Sequence, residues 1–311
     1  MYPVSTDPLQ ITDEFRQRMV GVFGDVGIAW LERLPQIVAE CAEQWSLTVE
    51  PPFPLSYAFV APVTRADGEP AVLKVRCPHE ETATEIDALL AFAGEGVCAV
   101  YEHDTERFAT LMERVLPGEP LASLVPDNDE RATAIAIDLM QRLWRPAPVE
   151  HAFPSVADWA RGLPRHRERF GGTTGPLPSR LFEEAEDAFR WMLATTDAPM
   201  LLHGDLHHDN ILSATRQPWL VIDPKGIIGD PGFDLGAFLY NPMPGLLDLP
   251  DPARIIARRV DQLAEGLGME RARVRGWGIA QAVLSACWSV EGNEDWQHAI
   301  AVGEYLSALP E

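Results

Sequence analysis

Positive charge is scarce in this chain. Lys and Arg number 25 against 47 Asp and Glu, a formal net charge of −22, and the pI is about 4.7. Such a field argues against nucleic acid or an anionic membrane as partner and raises the local concentration of cationic small molecules, although halophily or simple solubility would produce the same number. No apolar run approaches the ~20 residues that span a bilayer, and MYPVSTDPLQITDEF at the N-terminus lacks the basic head and apolar run of a signal peptide. The four cysteines, Cys41, Cys77, Cys98 and Cys287, are scattered without a CxxC pair, which points to reduced thiols and the cytoplasm. A Walker A sequence is missing, and the histidines do not follow the HExxH spacing of a zinc site. What is present is ordinary globular material, 46 % hydrophobic over 311 residues, enough for one large or two medium domains.

Apolar positions at helical spacing (Phe15, Met19, Val22, then Ile28, Leu31, Leu34, Val38) predict helix over 12–44. WSLTVEPPF, SYAFVAPVTR and PAVLKVRC then read as three short strands, the last two joined by a hairpin break at Asp67-Gly68. A helix is expected over Glu80 to Phe92, followed by strands at Val97 to Tyr101 and Phe108 to Met112. The pattern is helical beyond residue 118: Asp127 to Trp144 (with a capping-box-like Asp127 and Glu130), Ser155 to Phe170, Ser179 to Thr195, Ala253 to Gly266, Arg271 to Val290 and Trp296 to Leu309. The expected class is α+β: an N-terminal lobe over 1–112, comprising the helical extension and a five-stranded antiparallel sheet with one helix. A hinge over 113–118 and a larger, mainly helical lobe over 119–311 complete the plan.

The chain is organised around LLHGDLHHDNILSATRQPWLVIDPKGIIGDPGFDLGAFLYN, residues 201–241. Asp205 and Asn210 lie on one loop, and a strand pattern from Trp219 to Ile222 delivers Asp223. Kinases place a hydroxyl and a magnesium ion around a transferring phosphoryl group with this spacing. Asp205 is the candidate base, while Asn210 and Asp223 offer the hard oxygen donors that magnesium prefers. The alternative for any one of them is turn chemistry or helix capping. His203 is expected to fix loop geometry, with His207 and His208 partly exposed. Asp230 and Asp234, in GDPGFD, are candidates to hold the loop rigid, Asp234 through backbone N–H groups. Lys74 interrupts the apolar AVLKV and needs a partner, which Glu85 could supply. The two would clamp the α- and β-phosphates of ATP; the alternative is an edge-strand lysine reaching solvent. Between the first two strands PPFPLSYAFV contains no glycine, so phosphates would be covered by amides around Leu55 to Tyr57. Glu291, Glu294 and Asp295, flanked by Trp288 and Trp296, are either a solvated helix end or a site for a cationic substrate.

HGDLHHDN and IDPKGIIGDPGFDLG, supported by DGEPAVLKV and SACWSVEG, resemble the aminoglycoside phosphotransferase family, most closely its streptomycin 6-kinase and hydroxyurea phosphotransferase branch. The resemblance runs from about Trp45 onward. It implies a protein-kinase-like bilobal fold and ATP-dependent O-phosphorylation of a small molecule. By position it makes Asp205 the base, Asn210 and Asp223 the Mg2+ ligands, Lys74 with Glu85 the phosphate clamp, and the Glu113–Val115 backbone the adenine hinge. The expected substrate is an aminoglycoside such as streptomycin. A metabolic kinase of an amino sugar is the alternative, and a nucleotide-binding regulator without catalysis is disfavoured by the intact set Lys74, Asp205, Asn210 and Asp223.

Overall fold

The computed structural model describes residues 9–310, leaving aside the side chains of residues 80–83. The first residues of the N-terminal stretch read above as free of a leader lie outside the described residues. The chain divides into two compact units: one runs up to Gly94 and includes Cys98–Val115, the other combines Glu95–Val97 with the chain from Leu116 onward.

The first unit opens with helix α1 (Asp13–Gln44), started by Thr12, whose Oγ1 accepts from Phe15 N at 3.2 Å. Gly24 kinks it, at φ +54° and ψ −133°, a conformation that glycine alone adopts readily. Strands β1 (Thr48–Val49), β2 (Ala58–Thr64) and β3 (Pro70–Arg76) precede helix α2 (Glu80–Phe92), and β4 (Val100–Asp104) and β5 (Ala109–Glu113) follow it. They form an antiparallel sheet in the order β1-β2-β3-β5-β4. The expected sheet is present, with one shift: β4 begins at Val100, because Val97 instead bridges to Val221 in the second unit's own fold. Strand β3 is central. Lys74 pairs with Val60 on one side and Thr110 on the other, which removes the edge-strand alternative. The sheet's apolar face (Phe59, Leu73, Val75, Leu111) packs with Phe15, Met19, Trp30 and Leu34 of α1 into one core, so the extension belongs to this unit's interior.

In the second unit β6 (Pro117–Pro120) leads into α3 (Val125–Leu143), β7 (Arg145–Pro146), α4 (Val156–Ala160), α5 (Gly162–Arg169) and α6 (Ser179–Ala194). The central segment then builds β8 (Met200–Leu202), β9 (Ile211–Ala214), β10 (Trp219–Val221) and β11 (Ile227–Gly229) before α7 (Phe233–Tyr240). Helices α8 (Pro252–Leu267), α9 (Arg271–Gly292) and α10 (Gln297–Ala308) end the chain. Three details depart from the sequence reading. Helix α3 begins earlier, at Val125, and its residue of non-helical geometry is Asn128, whose Oδ1 caps Arg131 N at 3.2 Å; Asp127 is not the cap. The helix expected over Ser155 to Phe170 is two, α4 and α5, divided at Arg161; Gly162, which starts α5, sits so close to α9 that a Cβ would lie 2.5 Å from Leu284 Cδ1. Two small sheets, β10-β9-β6 and β11-β8-β7, were not foreseen in this mainly helical unit. Their strands are only two to four residues long, too short for alternation to show. They fix the two ends of the loop between β8 and β9.

Helix α9 is the unit's axis, buried from Val274 to Cys287 with few breaks. Helix α7 meets it at Gly236, where an added Cβ would stand 2.2 Å from Gln281 Cβ and 3.0 Å from Trp277 O. Gly236→Ala is therefore expected to push α7 off α9 and destabilise the protein by about 1–3 kcal/mol, read as a lower denaturation midpoint at unchanged m-value. A midpoint equal to that of the parent would refute the packing described.

Candidate active site

The loop between β8 and β9 is shaped by a net of backbone hydrogen bonds. Asp234, in the first turn of α7 and fully buried, accepts from Gly204 N through Oδ1 at 2.7 Å and from His203 N through Oδ2 at 3.1 Å. Trp144 Nε1 adds a third bond at 3.0 Å. Burial holds the Asp234 carboxyl above its usual range, against which His203, Gly204 N–H and Trp144 act. The His203 ring closes the other side of the turn: Nδ1 accepts from Asp205 N at 3.1 Å and Nε2 lies 2.9 Å from Ile222 O. An acceptor at Nδ1 and a carbonyl at Nε2 are both satisfied only by the neutral ring with its proton on Nε2, and burial lowers this histidine's pKa in agreement.

Asp205, the residue held between these bonds, is partly exposed, while Asn210 is buried in a short 3-10 turn (His208–Asn210). The amide of Asn210 donates from Nδ2 to Asp205 O at 3.0 Å, which commits its nitrogen and leaves Oδ1 as its remaining donor atom for a ligand. Ile222 N bonds to Asn210 O at 2.9 Å, tying the loop to the end of β10. Asp223 follows with φ +59°, a left-handed conformation that Asp tolerates better than most residues and that recurs where function demands a backbone outlier. A carboxylate and an amide oxygen suit Mg2+, which usually takes one or two protein ligands and completes its shell with phosphate and water. Among the described residues no group of three His, Cys, Asp or Glu is arranged to hold a metal.

Asp230 works on a neighbouring turn. Its Oδ1 accepts from Gly232 N at 2.8 Å and Trp277 Nε1 at 2.9 Å, and its Oδ2 from Thr196 Oγ1 at 3.1 Å and from Arg273. It thus fixes the approach to α7, one step from the loop. His208 corrects the sequence reading: it is fully buried, not partly exposed, stacked on Phe238 with ring centroids 4.1 Å apart. Its Nε2 accepts from Arg259 Nη2 at 3.2 Å, and burial together with that guanidinium holds its pKa well below the ordinary value. Sequence reasoning also passed over Lys225. It and Lys74 are the only lysines in the 311 residues. Lys225 N donates to His203 O at 2.7 Å, and its Cβ would meet a Cβ placed on Gly204 at 3.1 Å. Rarity of the residue type was the signal.

In the first unit Lys74 Nζ and Glu85 Oε1 form a buried ion pair of 2.7 Å, and Arg76, two residues along the same face of β3, reaches the other carboxylate oxygen. Glu113 Oε2 accepts from Ala99 N at 2.9 Å, so its side chain locks β5 to the start of β4; Val115, the last residue of this unit, is buried. Leu55, in the glycine-free segment, is held by Arg18 of α1, which donates to its carbonyl at 3.1 Å. The acidic cluster near the C-terminus is largely occupied. Glu291 pairs with Arg165 at 3.1 Å, and Asp295 Oδ1 accepts from Gln297 N at 2.9 Å at the start of α10. Trp288 stacks edgewise on Trp159 at 5.4 Å. Glu294 is exposed.

A five-stranded antiparallel sheet with a buried Lys–Glu pair, together with a mainly helical unit bearing an Asp-x4-Asn loop and a following Asp, defines a protein-kinase-like phosphotransferase. Comparison with known proteins narrows the class. The model of the aminoglycoside/hydroxyurea antibiotic resistance kinases matches residues 45–292. Streptomycin 6-kinase of Streptomyces griseus is 33 % identical over 92 % of this chain and 93 % of its own. Hydroxyurea phosphotransferase of Kitasatospora aureofaciens is 34 % identical over 91 % of this chain and 82 % of its own. The crystal structure of aminoglycoside phosphotransferase APH(4)-Ia superposes with a TM-score of 0.59 at 15 % identity, covering 88 % of this chain and 97 % of that one, and shows the shared fold. The chain belongs to the aminoglycoside/hydroxyurea antibiotic resistance kinase family, and it is an ATP-dependent phosphotransferase that takes a small-molecule hydroxyl as acceptor. No helix among the described residues is long and apolar enough to cross a membrane.

The two buried histidines give the site a pH signature. Both are depressed below the ordinary 6.5. The unfolded chain therefore takes up protons as pH falls through 6.5 while the native protein does not, and stability declines in that direction until the folded values are reached. Each contributes a slope of up to about 1.4 kcal/mol per pH unit. Asp234, raised above 3.8, acts in the opposite sense. Thermal midpoints are expected to fall on acidification from about pH 7.5 to about 5.5, and the slope should be shallower in His208→Leu. Parallel slopes in parent and variant would contradict the buried neutral state of His208.

Proposed function

We propose that this protein transfers the γ-phosphoryl group of ATP, bound with Mg2+, to a hydroxyl of a cationic, polyhydroxylated molecule, an aminoglycoside such as streptomycin. The observation that carries the reading is the loop on which Asp205 is held by His203 and Asp234 while Asn210 keeps its amide oxygen for a ligand. The streptomycin kinases among its relatives support the acceptor.

In this reading Asp205 orients the acceptor hydroxyl and takes its proton as the acceptor oxygen bonds to Pγ and the bond from Pγ to the ADP oxygen breaks. A bound Mg2+ supplies charge neutralisation on the phosphate oxygens, and Asn210 Oδ1 with the Asp223 carboxylate would hold it. Lys74 meets the α- and β-phosphates, kept in place by Glu85. The Glu113 and Val115 backbone takes the adenine, and 113–118 is the connecting segment between the N-terminal lobe and the helical lobe. Lys225, whose ammonium has no ion pair among the described residues, adds positive charge next to the loop. Catalysis is then chiefly positioning and electrostatic stabilisation. Of the acidic cluster, Glu291 and Asp295 already serve Arg165 and α10, so a cationic substrate would exchange those contacts here, on a surface where Glu294 and Asp295 are both exposed. The protein works in the cytoplasm, where ATP and the incoming substrate meet.

A coupled assay of ADP release with Mg·ATP against streptomycin, other aminoglycosides, amino sugars and hydroxyurea tests the reading. Turnover with streptomycin is expected. Turnover confined to an amino sugar would replace the resistance role with a metabolic one. Asp205→Asn should lower kcat by about two to four orders of magnitude while ATP still binds; retained turnover would show that Asp205 is not the base.

A further inference from the structure

Helix α7 touches the catalytic loop at both ends. At its first turn Asp234 holds the His203 and Gly204 amides. Near its last turn Phe238 stacks under the His208 ring, their planes 18° apart. The second contact is completed from α8 by Arg259, a guanidinium with no exposure. Its Nε and Nη2 bind Asp129 Oδ1 at 3.0 and 2.6 Å. Its Nη1 collects the carbonyls that α7 leaves open, Phe238 O at 3.2 Å and Asn241 O at 2.5 Å. Nη2 also donates to His208 Nε2 at 3.2 Å. A carboxylate from α3, the carbonyl end of α7 and the catalytic loop therefore converge on one cation.

The histidine is a costly way to fill this space. With Nε2 accepting, the ring proton sits on Nδ1, and that nitrogen is buried with no hydrogen-bond partner among the described residues. A leucine would fill the volume beside Phe238 without stranding a donor. What histidine adds is an acceptor for Arg259, placed in the same 3-10 turn as Asn210 and two residues before it.

We infer that Arg259, acting through His208, is a positioning residue that orients the turn carrying Asn210 and so sets the site's grip on the metal of Mg·ATP. Asp234 positions the base end of the loop; Arg259 positions the metal end. The inference rests on Asn210 being a metal ligand.

His208→Leu tests it, because the change removes the acceptor nitrogen and leaves Arg259 on Asp129. Calorimetry on the full chain compares binding of the non-hydrolysable analogue AMP-PNP with and without Mg2+, and amide hydrogen exchange follows residues 207–210. In the parent, Mg2+ tightens binding. In His208→Leu that gain is expected to shrink by about tenfold or more, the usual size for loss of a group that orients a ligand, with metal-free binding unchanged and faster exchange at the turn. His208→Gln, which keeps an acceptor, should restore much of the gain, a rescue that loss of simple packing would not show. Asn210→Ala runs alongside. If it loses the Mg2+ gain while His208→Leu keeps it, the positioning role is overturned. If Asn210→Ala keeps the gain, the metal-ligand reading falls and the inference with it. Should His208→Leu fail to fold, Arg259→Lys is read by the same two measurements, and an unchanged gain there overturns the proposal.

Discussion

The bonds from Asp234 to the amides of His203 and Gly204 are the constraint on which the site depends. A loop that holds the candidate base Asp205 gains from rigidity, because a misplacement of about 1 Å can cost a hundredfold in rate. Two charge-assisted bonds of 2.7 and 3.1 Å lock its first residues. The carboxylate is fully buried to do so, and burial alone disfavours its charge. Three donors converge on it to offset that penalty, one of them a tryptophan 90 residues earlier in the chain. The surrounding structure follows from the need to hold that carboxylate still: β8 and β11 frame the loop, Asp230 and Trp277 fix the turn that starts α7, and Gly236 lets α7 lie directly on α9.

The same economy governs the polar groups around it. Neutral His203 bridges Asp205 N and Ile222 O, so a single ring relates the loop carrying Asp205 to the strand that delivers Asp223. Asn210 spends an amide hydrogen on Asp205 O and keeps its oxygen. In the first unit Glu85 pairs with both Lys74 and Arg76, which keeps two cations on one face of a central strand. Buried charges are tolerated in each case because paired, hydrogen-bonded partners surround them.

Much of the candidate site was legible because its residues are local in the chain. Asp205 and Asn210 lie five residues apart, and Asp223 follows one short strand later. The strand–turn–strand pattern around Lys74 and the following helix with Glu85 were also readable, since a lysine inside AVLKV conflicts with its surroundings unless a partner exists. Less was legible where meaning depended on distant contacts. Glu291 looked available until Arg165, 126 residues away, was found against it. His208 looked like a loop histidine, yet Arg259 and Phe238 bury it. The close approach of Gly162 to Leu284 of α9, where a Cβ would stand 2.5 Å from Leu284 Cδ1, is a contact that no local propensity contains.

The sequence by itself determined the residue types, their spacing and the alternation of apolar positions, and these were enough for the α+β class, the sheet with its inserted helix and the kinase-like loop. Tertiary structure alone decided which polar groups are partnered, which are buried and which remain available to a ligand. Spacing along a chain is a one-dimensional property that short motifs carry intact. Burial and partnership depend on segments more than 100 residues apart, as with Asp129 and Arg259, and only packing brings those together.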